Sequence, residues 1–238
     1  MHPYYKACTD CYRKEISNLL SYIKPELKTV FSQDPDSVIR QVQDAFINEL
    51  LTDMPYVGGK KNSNDTSNLI SCCEFAAVFI LGKQNGIENE QIGLLINTAW
   101  KKKHKKVSQK TGKILQHLLG KRPVHIFLRS FSDKSMRMSE EYEYAWRFEY
   151  EKPDEEYSVK IKCTRCGACR FLNEKGLADI MPYVCNIDFE TAAAFGIPYY
   201  RNKVIAYGDE CCANLVKRSA PVVTDNFPPH GLRKDGLK

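Results

Sequence analysis

Histidine is scarce in this chain of 238 residues, and no apolar run is long enough to suggest a membrane span. The five histidines, His2, His104, His117, His125 and His230, never pair at a ligand spacing such as His-x-His or His-Glu-x-x-His. That leaves histidine-based metal hydrolysis without support. No Gly-x-Ser-x-Gly elbow offers a serine nucleophile. The longest apolar stretch, around "FAAVFILG", is far shorter than a bilayer-spanning segment. The opening "MHPYYKACTD" lacks the charged region and apolar run of a secretory leader. There is no internal repeat and no recognised nucleic-acid motif. These absences lead us to expect a cytoplasmic protein without a membrane or nucleic-acid partner. They leave its oligomeric state open.

Cysteine, by contrast, is plentiful, with ten residues. A chain of this length buries a core without cross-links. In a reducing compartment its thiols are expected to be free or metal-bound. The net charge of +6 owes much to one block, Lys101 to Lys106, "KKKHKK". We read that block as a solvated helix end whose cations complement the carbonyl terminus. The competing reading, a phosphate-binding patch, lacks aromatics interleaved with the lysines.

Periodicity divides the chain. In "CYRKEISNLLSYIKPELKTVF", Ile16, Leu19, Leu20 and Ile23 form one helical face, ended or kinked at Pro25. Asp34 and Pro35 open a second helix with Val38, Val42 and Phe46 at four-residue steps. "MPYVGGKKNSNDTS" is a loop, "NLISCCEFAAVFILGK" a buried helix closed by Gly86, and "ENEQIGLLINTAWKK" and "GKILQHLLG" continue the helical pattern. "RPVHIFLRSF" fits helix or strand. Tyr142, Tyr144, Trp146, Phe148 and Tyr150 then alternate with polar residues, as in a half-buried strand, and Tyr157, Val159, Ile161 and Cys163 make its hairpin partner. "CRFLNEKGLADIM" and "DFETAAAFG" read as short helices, and "YYRNKVIAY" and "CCANLVKR" as a second hairpin around "GDE". The expected fold class is α+β, a helical amino-terminal half packed on a four-stranded antiparallel sheet with inserted helices. We expect one domain over residues 1–224, its halves meeting near residue 138, and a loose tail over 225–238.

Cysteine spacing raises two kinds of chemistry. Cys163, Cys166 and Cys169 stand at three-residue steps, with Cys185 as the next cysteine. A ferredoxin-like run needs its fourth cysteine sooner, followed by proline. A zinc knuckle needs a second matched pair. A metal held by Cys163, Cys166, Cys169 and Cys185 stays an alternative to a protein with no cofactor. Cys185 lies three residues before Asp188. If Asp188 opens the "DFETAAAF" helix, Cys185 sits at the helix amino terminus, where a thiolate is favoured. The other reading makes Cys185 a small buried residue and Asp188 a cap. Cys72 and Cys73 fall in an apolar helix and read as core. Cys8 and Cys11 lie one helical turn apart.

Three stretches resemble the L-2-amino-thiazoline-4-carboxylic acid hydrolase family. They are "MPYVGGKKNSNDTSNLISCCEFAAVFIL", "IGLLINTAW" and "MPYVCNIDFETAAAFGIPYYRNKVIAYGDECCANLV". The most specific parts are the loop with Tyr56, Gly58, Gly59, Lys60 and Asn62, the Cys185-x-x-Asp188 stretch, and the turn with Gly208, Asp209, Cys211 and Cys212. Arg165–Cys166 resembles a family pair at a strand end. "ANLVKR", Cys163 and Cys169 depart from the family pattern. The resemblance implies a small-molecule substrate, hydrolysed at a carbon–nitrogen bond of a cyclic amidine that bears sulfur and a carboxylate. In that reading Cys185 is the nucleophile, and Asp188 and Asp209 hold the amidinium and move protons; alternatively a carboxylate activates water while the cysteines shape the pocket. Lys60 or Arg165 takes the carboxylate. Asn62 adds a hydrogen bond, Gly58 and Gly59 admit the ligand to the backbone, and Cys166 lines the pocket. The competing class is a non-catalytic, cysteine-rich module that binds a small ligand or a metal.

Overall fold

The computed structural model of the chain describes residues 1–105, 114 and 117–229. Residues 106–113, 115 and 116, which include part of "GKILQHLLG", and the tail from His230 onward lie outside them.

The amino-terminal half is helical: α1 (Pro3–Lys6), α2 (Thr9–Ser21), α3 (Lys24–Phe31), α4 (Pro35–Ala45), α5 (Ser63–Gln84) and α6 (Asn89–His104). Local chemistry sets the boundaries. Pro25 occupies the first turn of α3 rather than kinking α2. Asp34 accepts a hydrogen bond from the Ser37 amide at 2.9 Å and so caps α4. That helix runs on through a wider π turn to Leu51. Gly86 ends the α5 turn at φ +68°.

α5 is buried on nearly all sides, from Asp65 and Leu69 to Leu81 and Gly82. Among the described residues, Gly59–Gln84 makes the one helical stretch long and apolar enough to cross a membrane, and 78% of an 18-residue apolar segment within it is packed inside the protein. α6 ends in the lysine block, as the helix-end reading expects. Lys101 reaches the buried Glu190 at 3.3 Å, and Lys102 pairs with Glu26.

A 20-residue helix, α7 (Arg122–Glu141), leads into the sheet and resolves the ambiguity of "RPVHIFLRSF". The four strands are β1 (Arg147–Glu151), β2 (Tyr157–Arg165), β3 (Tyr199–Arg201) and β4 (Cys212–Lys217). Their order is β1-β2-β4-β3, antiparallel throughout. Helices α8 (Gly167–Glu174) and α9 (Met181–Ala194) are inserted between β2 and β3. The expected α+β class is the one observed. One continuous core takes residues from both halves, from Tyr5 to Cys212.

The first arm of the β1–β2 hairpin begins later than alternation suggests. α7 continues to Glu141, and Tyr142–Trp146 form a turn. The cause is tertiary. The Arg165 guanidinium donates to the carbonyls of Ser139, Tyr142 (3.1 Å) and Ala145 (3.0 Å), satisfying the carboxyl end of α7. Asp65 accepts the Trp146 amide at 2.9 Å. α7 then covers the free edge of β1, where Ser135 and Ser132 accept the amides of Phe148 and Tyr150 at 2.9 and 3.0 Å.

Asn226 is fully buried and Phe227 packs its ring 6.2 Å from that of Tyr183, so the described start of the tail lies against α9.

Gly167 fixes the start of α8. A Cβ there would stand 1.8 Å from the Tyr144 carbonyl oxygen, a backbone atom in the turn that Arg165 clamps. Gly167→Ala is therefore expected to cost about 3 kcal/mol of stability, measured as a lower Tm by calorimetry. An unchanged Tm would mean that the turn gives way freely.

Candidate functional site

The site is built where α9 crosses the β3–β4 end of the sheet. Pro182 occupies the first turn of α9, which therefore begins at Met181. This corrects the expectation that the helix opens at Asp188. Cys185 lies in the second turn instead of at the amino terminus, so the terminal amides do not activate its thiol. Asp188 follows three residues later, on the same face of the helix.

The residue that faces them is Arg201, at the end of β3. Its guanidinium pairs with the Asp188 carboxylate, donates to the Cys185 carbonyl at 3.4 Å and donates to Asn214 Oδ1 at 3.1 Å. The Tyr199 hydroxyl donates to the same Asn214 oxygen at 2.5 Å. Strand pairing makes this convergence, because Arg201 stands opposite Asn214 across the β3–β4 ladder and Tyr199 shares the face of Arg201. Asn214 is oriented in turn by donating to the carbonyls of Ile161 and Cys212, each at 3.2 Å. The rings of Tyr199 and Phe189 lie 5.3 and 5.5 Å from the guanidinium carbon.

The Arg201 side chain is only 5% exposed, whereas that of Asp188 is 61% exposed. Burial works against the guanidinium charge. The Tyr199 phenol, Asp188, Cys185 and Cys212 outweigh it and hold Arg201 firmly protonated.

Thiols surround this cation. Cys72 on α5 shares an electrostatic environment with Cys166, Cys185 and Asp188, and Cys212 does so with Arg201 and Asp188. Burial is the largest influence on each thiol and raises it, taking Cys166 up to about 12 and Cys185 well above its ordinary range. Arg201 opposes that rise at Cys185 and Cys212. The Ile205 amide also donates to the Cys212 sulfur at 3.3 Å. Cys185 and Arg201 line a cavity of about 20 Å³ together with Phe189 and Tyr207, room for about one water molecule.

The remaining candidates separate into those near this corner and those elsewhere. Cys166 joins it, and its sulfur also accepts the Cys169 amide at 3.4 Å, capping α8. Arg165 is committed to the carbonyls of Ser139 and Tyr142 at the end of α7 and of Ala145 in the following turn. Asp209 accepts the Val204 amide at 2.7 Å and closes the turn in which Gly208 adopts φ +91°. Lys60 is exposed. Asn62 donates to the Val57 carbonyl and to Asp65 at 3.0 and 2.8 Å, Gly58 packs under Tyr142, and Gly59 packs under Tyr4 and Tyr56. Among these described contacts of the loop, none reaches Cys185, Asp188 or Arg201.

The thiols of the three-residue steps are engaged singly. Cys163 donates to the Arg165 carbonyl at 3.2 Å, and Cys169 accepts from Asn173 at 3.8 Å. Among the described residues, no group of three or more Cys, His, Asp or Glu side chains is disposed to hold a metal ion.

Sequence reasoning missed Arg201, Tyr199 and Asn214. The available signal was an arginine two residues after a tyrosine in a strand, facing an asparagine inside the otherwise apolar "CANLV".

Comparison with known proteins adds one match. The model of a family described as L-2-amino-thiazoline-4-carboxylic acid hydrolase matches residues 72–214, more than half of the chain. The matched span runs from Cys72 to Asn214, so it holds every residue of the corner and excludes the Tyr56–Asn62 loop. No curated protein and no solved structure matches.

The electrostatics give a direct expectation. Alkylation of Cys185 by iodoacetamide, followed by peptide mass spectrometry, should be slow at pH 7 and still rising at pH 9.5, because burial holds the thiol protonated. Arg201→Gln should slow it further. A rate that levels off near neutral pH would contradict this.

Proposed function

The chain belongs to the L-2-amino-thiazoline-4-carboxylic acid hydrolase family, and from that premise we propose that it hydrolyses a carbon–nitrogen bond in a cyclic amidine bearing a carboxylate, 2-amino-thiazoline-4-carboxylate being the model substrate. The observation that carries this reading is the Arg201–Asp188 pair beside Cys185. Such a substrate brings one negative and one positive group. Once the side chains around this water-sized cavity part to admit the substrate, exchange of ion pairs leaves no buried charge alone: the substrate carboxylate takes the guanidinium, and the exposed Asp188, released, takes the amidinium. Arginine suits the first role because its planar fork matches a carboxylate. This reading moves carboxylate recognition from Lys60 or Arg165 to Arg201.

The chemical step starts from a neutral thiol. A bound amidinium places positive charge against Cys185 and favours its ionisation. The Cys185 proton passes to Asp188 as sulfur adds to the amidine carbon. The tetrahedral adduct expels the nitrogen, which leaves with that proton. Water, deprotonated by Asp188, attacks the same carbon, and the carbon–sulfur bond to the enzyme breaks to restore the thiol. One water is consumed and one carbon–nitrogen bond is lost. A second reading draws support from the raised thiol: Asp188 activates water directly, and Cys185 only shapes the pocket.

Substitution separates the two. Under the thiol route, Cys185→Ser retains the fold and loses about 10³-fold or more in turnover, followed by mass spectrometry of the product. Near-normal turnover would overturn the nucleophile assignment and favour the water route. Asp188→Asn is expected to lose about 10²-fold or more by either route, and full activity in that variant would sink both.

A further inference from the structure

A second cavity lies in the helical half, away from the thiol corner. Its volume is about 520 Å³, within the range of small-molecule sites. α2, α5 and α6 form its walls, and Tyr4 of α1 lines it as well. On α5, Ser67, Ser71 and Glu74 face it, whereas Cys72, near Cys185, points about 200° around the helix from Glu74.

Glu74 is the unusual group here. The residue is 7% exposed, and its Oε1 has no hydrogen-bond partner among the described residues. A buried polar atom without a partner is costly and calls for an explanation. Glu15, on α2, lines the same cavity, and its charge acts on Glu74. Two facing carboxyl groups with an unused acceptor require donors, and a positively charged donor relieves their repulsion as well. The serine hydroxyls extend the donor and acceptor set, and the rings of Tyr4 and Tyr12 line the rest.

We propose that this groove binds a small organic cation, whose ammonium or guanidinium group docks between Glu15 and Glu74. The site is independent of the Cys185–Arg201 corner, and the two stand or fall separately.

Burial pushes the Glu74 carboxyl up to about 8, with Glu15 adding to the shift and Lys103 opposing it. The groups facing Glu74 are Glu15, Tyr12, Cys8 and Cys11 on the α2 side, Tyr4, and Lys103 from α6. Cys73 adjoins it on α5 itself. At pH 7 the pair therefore keeps a proton. A cation that docks there displaces this proton to the buffer, so affinity rises as pH rises through about 8.

Agmatine is a suitable probe, because its guanidinium stays charged throughout this range. Isothermal titration of the full chain, in two buffers of different ionisation enthalpy, reads affinity and proton release together. We expect binding about tenfold tighter at pH 9 than at pH 7, following the ionised fraction, with close to one proton released at pH 7. Glu74→Gln should abolish the pH dependence and weaken binding at pH 9 at least tenfold. Glu15→Gln, at an exposed position, should weaken it as well and serves if the first variant does not fold. Cys185→Ser should bind as the unaltered chain does. Absence of heat at millimolar agmatine, or unchanged affinity in the glutamine variants, overturns the proposal.

Discussion

The carboxyl-terminal half is organised around a guanidinium that has almost no water. Burying such a charge costs several kcal/mol unless partners surround it. Arg201 has them on every side: a carboxylate and a carbonyl from α9, an asparagine oxygen from β4, and two aromatic faces. Each partner is itself held in place. Asn214 is pinned by two carbonyls of the sheet, and Tyr199 is pinned by Asn214. β3 is only three residues long, yet the position of α9 over the sheet follows from what its last side chain requires. The surrounding thiols fit the same logic, being small, polarisable and acceptable beside both apolar packing and a cation.

Much of the fold is legible in the sequence because local signals and tertiary demands agree there. The Asp34 cap, the apolar face of α2 and the alternation in β2 each specify their element directly. The signals fail where a distant group decides. Tyr142–Trp146 alternate like a strand but form a turn, because Arg165 and Asp65 claim their backbone groups. The start of α9 is hidden in the sequence because "MPYVC" carries no polar cap before Pro182 to mark it.

The candidate site was half legible. Cys185 and Asp188 are neighbours in sequence and remain neighbours in space. Arg201 reaches them only through strand pairing, which no local pattern encodes. The resemblance implies that residues of the Tyr56–Asn62 loop bind the ligand, but their described contacts knit the first turn, Tyr142 and Asp65 together. Arg165 is likewise a clamp on a helix end. α5 links these regions, turning Cys72 toward one centre and Glu74 toward the other.

The claim that Arg201 receives the substrate carboxylate has one direct measurement. Binding of 2-amino-thiazoline-4-carboxylate is compared with that of 2-amino-thiazoline, which lacks the carboxylate, in the unaltered chain and in Arg201→Met. A buried charge pair of this kind is worth about 100-fold or more in affinity. The account predicts that the unaltered chain prefers the acid by that factor and that the variant shows no preference. An undiminished preference in Arg201→Met would contradict it.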